Sequence, residues 1–132
     1  MKKRFWLGLI LAINSTIAQA APSPCEEVTH NLQILPCAES AWAGAQQKTD
    51  AALVSLKSRI RKEYIADPSL GARLINRIDQ AQQLWGESVE ADCGVEAFEI
   101  EEGAQAHQVV FLHCSTKRYE ERAAYLDHLL AI

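Results

Sequence analysis

The sequence predicts an all-α protein, a small up-down-up bundle of about three helices closed by two disulfides. Three observations predict it. Apolar residues recur every three or four positions over long stretches instead of alternating. Asp67-Pro68 punctuates that pattern once. The chain also holds four cysteines, an even number, all beyond residue 24. With 132 residues, 48% hydrophobic and 23% charged, it has one globular domain's worth of protein and is no disordered or collagen-like chain.

Residues 1–20 read as a secretory signal peptide. Lys2-Lys3-Arg4 is a basic start, Phe5 to Ile17 is a mostly apolar stretch broken by Asn14-Ser15-Thr16, and Ala18-Gln19-Ala20 is a small-x-small cleavage site. The apolar stretch falls short of the roughly 20 residues a spanning helix needs. Cleavage after Ala20 leaves a helical domain at 21–132, delivered to a periplasm or beyond. Removing residues 1–20 leaves 10 basic against 17 acidic residues, a net charge of −7. So acidic a chain is poorly suited to nucleic acid, which demands clustered Lys and Arg, and favours basic partners instead.

Residues 21–36 hold three of the four prolines and no clear period, which predicts an extended arm. From Cys37 the pattern turns helical. Trp42, Ala45, Thr49, Leu53, Leu56, Ile60 and Tyr64 fall on one stripe, and Asp67-Pro68 stops easy continuation. Asp67 then suits the N-cap of a second helix with Pro68 in its first position. That helix places Leu70, Leu74, Ile78, Ala81, Trp85 and Val89 on one face and is expected to end near Cys93-Gly94, with Gly94 as a left-handed cap. Residues 97–113 fit either a hairpin around Gly103 or a loop followed by a helix. The spacing of Val110, Phe111, Cys114, Arg118, Arg122, Tyr125, Leu126 and Leu129 supports a helix from about Ala106 to Leu130.

In an exported chain, Cys25, Cys37, Cys93 and Cys114 read as two disulfides, and the absence of C-x-x-C argues against a redox motif or a paired-cysteine zinc site. Of three possible pairings, Cys25–Cys37 with Cys93–Cys114 closes the shortest loops. Loops of that length stabilise by about 3 kcal/mol each, through restriction of the unfolded chain. Three antiparallel helices bring Cys37, Cys93 and Cys114 toward one end and the Asp67-Pro68 turn to the other.

No catalytic constellation is visible. There is no Gly-flanked serine of a Ser-His-Asp set, no Gly-rich phosphate loop and no H-E-x-x-H. His30, His107, His113 and His128 are scattered, and no metal or other cofactor is expected. The charge layout stands out instead. Between Arg77 and Lys117 there is no Lys or Arg, while Asp79, Glu87, Glu90, Asp92, Glu96, Glu99, Glu101 and Glu102 all fall there. The preceding stretch is basic, with Lys57, Arg59, Arg61, Lys62, Arg73 and Arg77. Glu87, Glu90, Asp92, Glu96, Glu99, Glu101 and Glu102 are therefore the candidate partner-binding residues at an acidic, disulfide-locked pole. Such a patch accelerates encounter with a basic protein and weakens with salt; the alternative is a solvated face that only keeps the protein soluble.

Gln82-x-x-Trp85 with Cys93 eight residues after the Trp resembles the A-Q-x-x-W…C signature of the LprI-like lysozyme-inhibitor family. Cys114 with Arg122 and Leu126 resembles its closing C…R…L segment, and Cys37 ahead of Asp50-x-x-Leu53 its opening helix. The match runs from about Cys25 to Leu130. Val54, Lys57 and Val89 depart from the family pattern and mark a divergent member. The resemblance implies a small exported helical protein that binds and inhibits lysozyme, protecting peptidoglycan; lysozymes of the animal type are strongly basic, which suits the acidic chain. Gln82, Trp85, Arg122 and Leu126 read as structural. Gln82 and Trp85 sit one turn apart at a helix–helix gap, and Arg122 calls for a carboxylate on another helix or a contact with the arm. A non-inhibitory envelope interaction module, or an immunity protein for a secreted toxin, is the alternative.

Overall fold

A computed structural model describes Cys25 and residues 28–130; the expected signal peptide and its cleavage site at Ala20 lie outside these residues. The fold is the expected three-helix bundle. A 3-10 turn at Asn31–Gln33 leads directly into α1 (Ile34–Glu63), followed by α2 (Pro68–Ala97) and α3 (Gln105–His128). Each long helix has 30 residues, about 45 Å at 1.5 Å per residue.

α1 starts three residues before the expected Cys37, and with the 3-10 turn the end of the expected extended arm, from Asn31 to Pro36, is helical. Pro36 does not prevent this, because it falls in the first turn, where its missing N–H has no intrahelical partner to lose. Ala45, Thr49, Leu56 and Ile60 of the predicted stripe are buried, together with Ala38 and Ala52. α1 ends at Glu63, and the Tyr64 N–H returns to Ile60 O at 2.9 Å. Asp67 caps α2 as expected. Its Oδ1 accepts from the Leu70 N–H at 3.0 Å and from the Ser69 hydroxyl at 2.8 Å, with Pro68 in the first position. At this turn the helices approach so closely that a Cβ on Gly71 would stand 2.9 Å from Tyr64 Cβ.

α2 outruns its expected end. Gly94 takes no left-handed cap and lies inside the helix, which continues to Ala97. Cys93 and Ala97, one turn apart, are both fully buried, and this burial outweighs the weak helix preference of glycine. The buried stripe also drifts from the expected one. Ala81 and Leu70 are exposed, while Gln82 beside Ile78 and Trp85 turns inward. No strand occurs among the described residues, and residues 97–113 form a turn followed by α3, not a hairpin.

α3 packs most extensively on α1 and also on α2, whereas α1 and α2 touch each other least. Two apolar clusters result. One joins Ala52, Leu56, Ile60, Ile78, Ala123 and Leu126 toward the Asp67 turn. The other gathers Val89, Cys93 and Cys114 with Trp85, Phe111 and Tyr119. The disulfides pair as Cys25–Cys37 and Cys93–Cys114, so the local-loop pairing holds. No described helix is long and apolar enough to cross a membrane.

Asp67 yields the first prediction. The Leu70 N–H, then the Ser69 hydroxyl, hold its carboxyl below the ordinary aspartate range. A depressed folded pKa stabilises the fold above the unfolded value, and that stabilisation is lost as pH falls through the folded one. Asp67→Ala therefore lowers the thermal midpoint near neutrality, and its gap to the wild type narrows on acidification. A gap that stays constant through acid pH contradicts a charge-based cap.

Candidate functional site

The residues singled out by the sequence separate into a half-buried polar layer and an exposed pole. The layer lies between the two apolar clusters. Arg122 Nε donates to Gln82 Oε1 at 2.9 Å, and its guanidinium lies 5.2 Å from the Trp85 ring centroid and 5.0 Å from that of Tyr125. Tyr119 meets Trp85 edge-on at 4.8 Å. From α1, the buried Thr49 hydroxyl donates to Tyr119 O at 2.8 Å. The expected carboxylate partner of Arg122 is thus replaced by a neutral amide and two aromatic faces. Burial draws its pKa down from the ordinary guanidinium value, partly offset by Tyr125. Arginine still stays charged, and the ring quadrupoles help hold that charge. Leu126 is fully buried, so all four motif residues are part of the packing.

Arg59 is the residue that sequence reasoning missed. Read as one of a run of basic positions, it reaches from α1 across to the end of α3. Its Nη2 donates to Leu126 O at 2.9 Å, Asp127 O at 3.2 Å and Leu129 O at 3.3 Å. A helix C-terminus leaves carbonyls without partners and favours a nearby cation. No local signal could have revealed a contact 67 residues apart in the chain.

The exposed pole is built where α2 ends and α3 begins. The Phe98 N–H returns to Val95 O at 3.2 Å, Ile100 to Ala97 at 3.0 Å and Ala104 to Glu101 at 3.0 Å. Gly103 completes the turn at φ +91°, a conformation that disfavours any side chain. Gln105 Nε2 ties the turn to Asn31 O at 3.0 Å, and Cys93–Cys114 staples the two helices behind it. The connection is therefore held at both ends. Yet Phe98 remains 83% exposed and Val95 75%, large apolar side chains on a pinned turn.

All seven candidate carboxylates are exposed, but they do not form one patch. Glu99, Glu101 and Glu102 share a cleft of about 720 Å³ with Phe98, Ile100, His107 and Phe111. Glu96 stands on the last turn of α2. Asp92 pairs with Arg118 at 3.7 Å, Glu87 accepts from Gln83 at 3.1 Å, and Glu87 and Glu90 lie farther back along α2. Asp79 is spent on an ion pair with Lys57 across α1 and α2. A second cleft of about 650 Å³ adjoins the first. Its wall is almost entirely apolar, built from Trp42, Ala43, Phe111 and Leu112 with Glu39, His107 and Gln108. His107 and Phe111 line both clefts. Among the described residues no group of three His, Cys, Asp or Glu is placed to hold a metal.

Residues 25–126 match the family described as lysozyme inhibitor LprI. Among solved structures, the chain is similar to the crystal structure of a DUF1311 family protein from Pseudomonas putida. The TM-score is 0.69 at 30% identity, over 78% of this chain and 96% of that one. No curated protein matches the chain.

The polar layer makes a second prediction. In a double-mutant cycle, Gln82→Leu and Arg122→Met couple by about 0.5–1.5 kcal/mol, because either change alone leaves the other's half-buried polar group without its partner. Denaturant unfolding of the four proteins measures this, and strictly additive costs contradict the pairing.

Proposed function

We propose, from the premise that this chain belongs to the lysozyme inhibitor LprI family, that it is an exported, non-catalytic protein that binds a basic lysozyme and blocks its attack on peptidoglycan. The contact surface is the disulfide-locked end, centred on Glu96, Glu99, Glu101 and Glu102. The observation that carries this placement is uncompensated charge beside exposed apolar surface. Among the described residues, Asp92 alone of the seven candidate acids is engaged in an ion pair. The carboxylates around the exposed Phe98 thus have no cation among the described residues paired with them.

Free charges of one sign on a rigid turn raise the encounter rate with an oppositely charged protein, and Phe98 and Val95 offer area to bury once contact is made. Glu87 and Glu90 act at longer range and matter less as salt screens them. The paired cysteines fit an oxidising compartment, where peptidoglycan is also found.

Replacing Glu96, Glu99, Glu101 and Glu102 together by Gln removes charge and leaves exposed, fold-neutral side chains. Titration calorimetry against hen egg-white lysozyme at low salt should show affinity falling about ten- to hundredfold. The variant should also lose most of the salt dependence seen with the wild type. Undiminished, equally salt-sensitive binding by the variant would sink this placement of the surface.

A further inference from the structure

We infer that the two adjoining clefts form one trough that receives a protruding segment of the basic partner. One aromatic or large aliphatic side chain enters between Trp42, Phe111 and Leu112, and neighbouring Arg or Lys side chains enter the cleft of Glu99, Glu101 and Glu102. The inference rests on the reading of this pole as the lysozyme-facing surface and goes beyond it by naming the chemistry of the segment that docks.

The two clefts adjoin, with His107 and Phe111 as their common wall. Their chemistries differ sharply across that shared wall. On one side the surface is almost entirely apolar; on the other, three carboxylates stand within four residues. A purely apolar occupant would satisfy only the first cleft, and a purely basic one only the second. A segment with an apolar residue flanked by basic ones fits both, and the exposed ring of Phe98 offers a surface for an arginine stem or guanidinium. The volume of about 650 Å³ accommodates a large side chain with its adjacent backbone, the kind of buried anchor that dominates protein interfaces. The walls are rigid enough to discriminate. Phe111 packs against the Cys93–Cys114 cluster, and Trp42 rises from the third turn of α1, one turn on from the Cys25–Cys37 bridge.

Ala43 lines the apolar cleft and is exposed, so Ala43→Arg fills it and adds the wrong charge without disturbing the core. Ala51→Arg, on the exposed side of the same helix, is the matched control. The probes are a fluorescent Arg-Arg-Phe-Arg-Arg peptide, its Ala-for-Phe counterpart and an uncharged aromatic dye, measured by anisotropy or emission on the full mature protein. The Phe peptide should bind about tenfold tighter than the Ala peptide; Ala43→Arg should abolish that preference and Ala51→Arg preserve it. Equal binding of the two peptides, or a preference that survives Ala43→Arg, overturns the trough. So does a dye that binds as tightly as the Phe peptide, which would make the cleft a small-molecule site. Lysozyme titrated in parallel separates the two readings. Lysozyme bound equally by the wild type and Ala43→Arg removes the trough and leaves the inhibitor reading. Intact peptide discrimination without lysozyme binding removes the inhibitor reading and leaves the trough.

Discussion

The packing of α3 against both long helices is the contact on which the rest of this structure depends. α1 and α2 run from a shared turn but scarcely touch along their lengths, so neither buries its stripe without a third helix. α3 supplies Ala123 and Leu126 to one cluster and Cys114, Phe111 and Tyr119 to the other. It is fastened at three levels. Cys93–Cys114 holds its beginning, Thr49 with the Gln82–Arg122 pair holds its middle, and Arg59 gathers its last carbonyls. In a domain this small, where hydrophobic burial alone is marginal, such fasteners set one register for the helix.

The polar layer also explains how a weakly apolar third helix docks uniquely. Leu, Ala and Val side chains could slide against one another at modest cost, but a half-buried arginine with one amide partner and two aromatic faces cannot. Gln82, Trp85 and Arg122 therefore act on register, and through it on where the α2–α3 turn projects. The exposed pole inherits its shape from residues that never reach its surface.

Much of this was legible in the sequence, and what was not has physical causes. The α1 stripe, the Asp67 cap and the disulfide pairing follow from local rules: helical period, turn chemistry and loop length. The failures came where tertiary contacts outweighed those rules. Gly94 looked like a terminator until the burial of Cys93 and Ala97 carried the helix past it, and the prolines and missing period of residues 21–36 predicted an extended arm although a helix's first turn tolerates Pro36. Ala81 was chosen for the stripe on apolarity, whereas Gln82 turns inward because Arg122 is there to meet it. At the pole, the density of acid between Arg77 and Lys117 was plain, but its division was not. Only the fold separates Glu99, Glu101 and Glu102 in a cleft from Asp92, which Arg118 neutralises.

The functional account thus comes down to location. One end of the bundle is stapled, acidic and incompletely covered, while the other is a capped turn flanked by basic residues. Backbone amide shifts of the isotopically labelled chain of residues 21–132, recorded by NMR as hen egg-white lysozyme is added at low salt, test this most directly. The account predicts perturbations concentrated at residues 94–112 and 39–43 with the Asp67-Pro68 turn unaffected. Shifts centred on that turn, or none at saturating lysozyme, would contradict it.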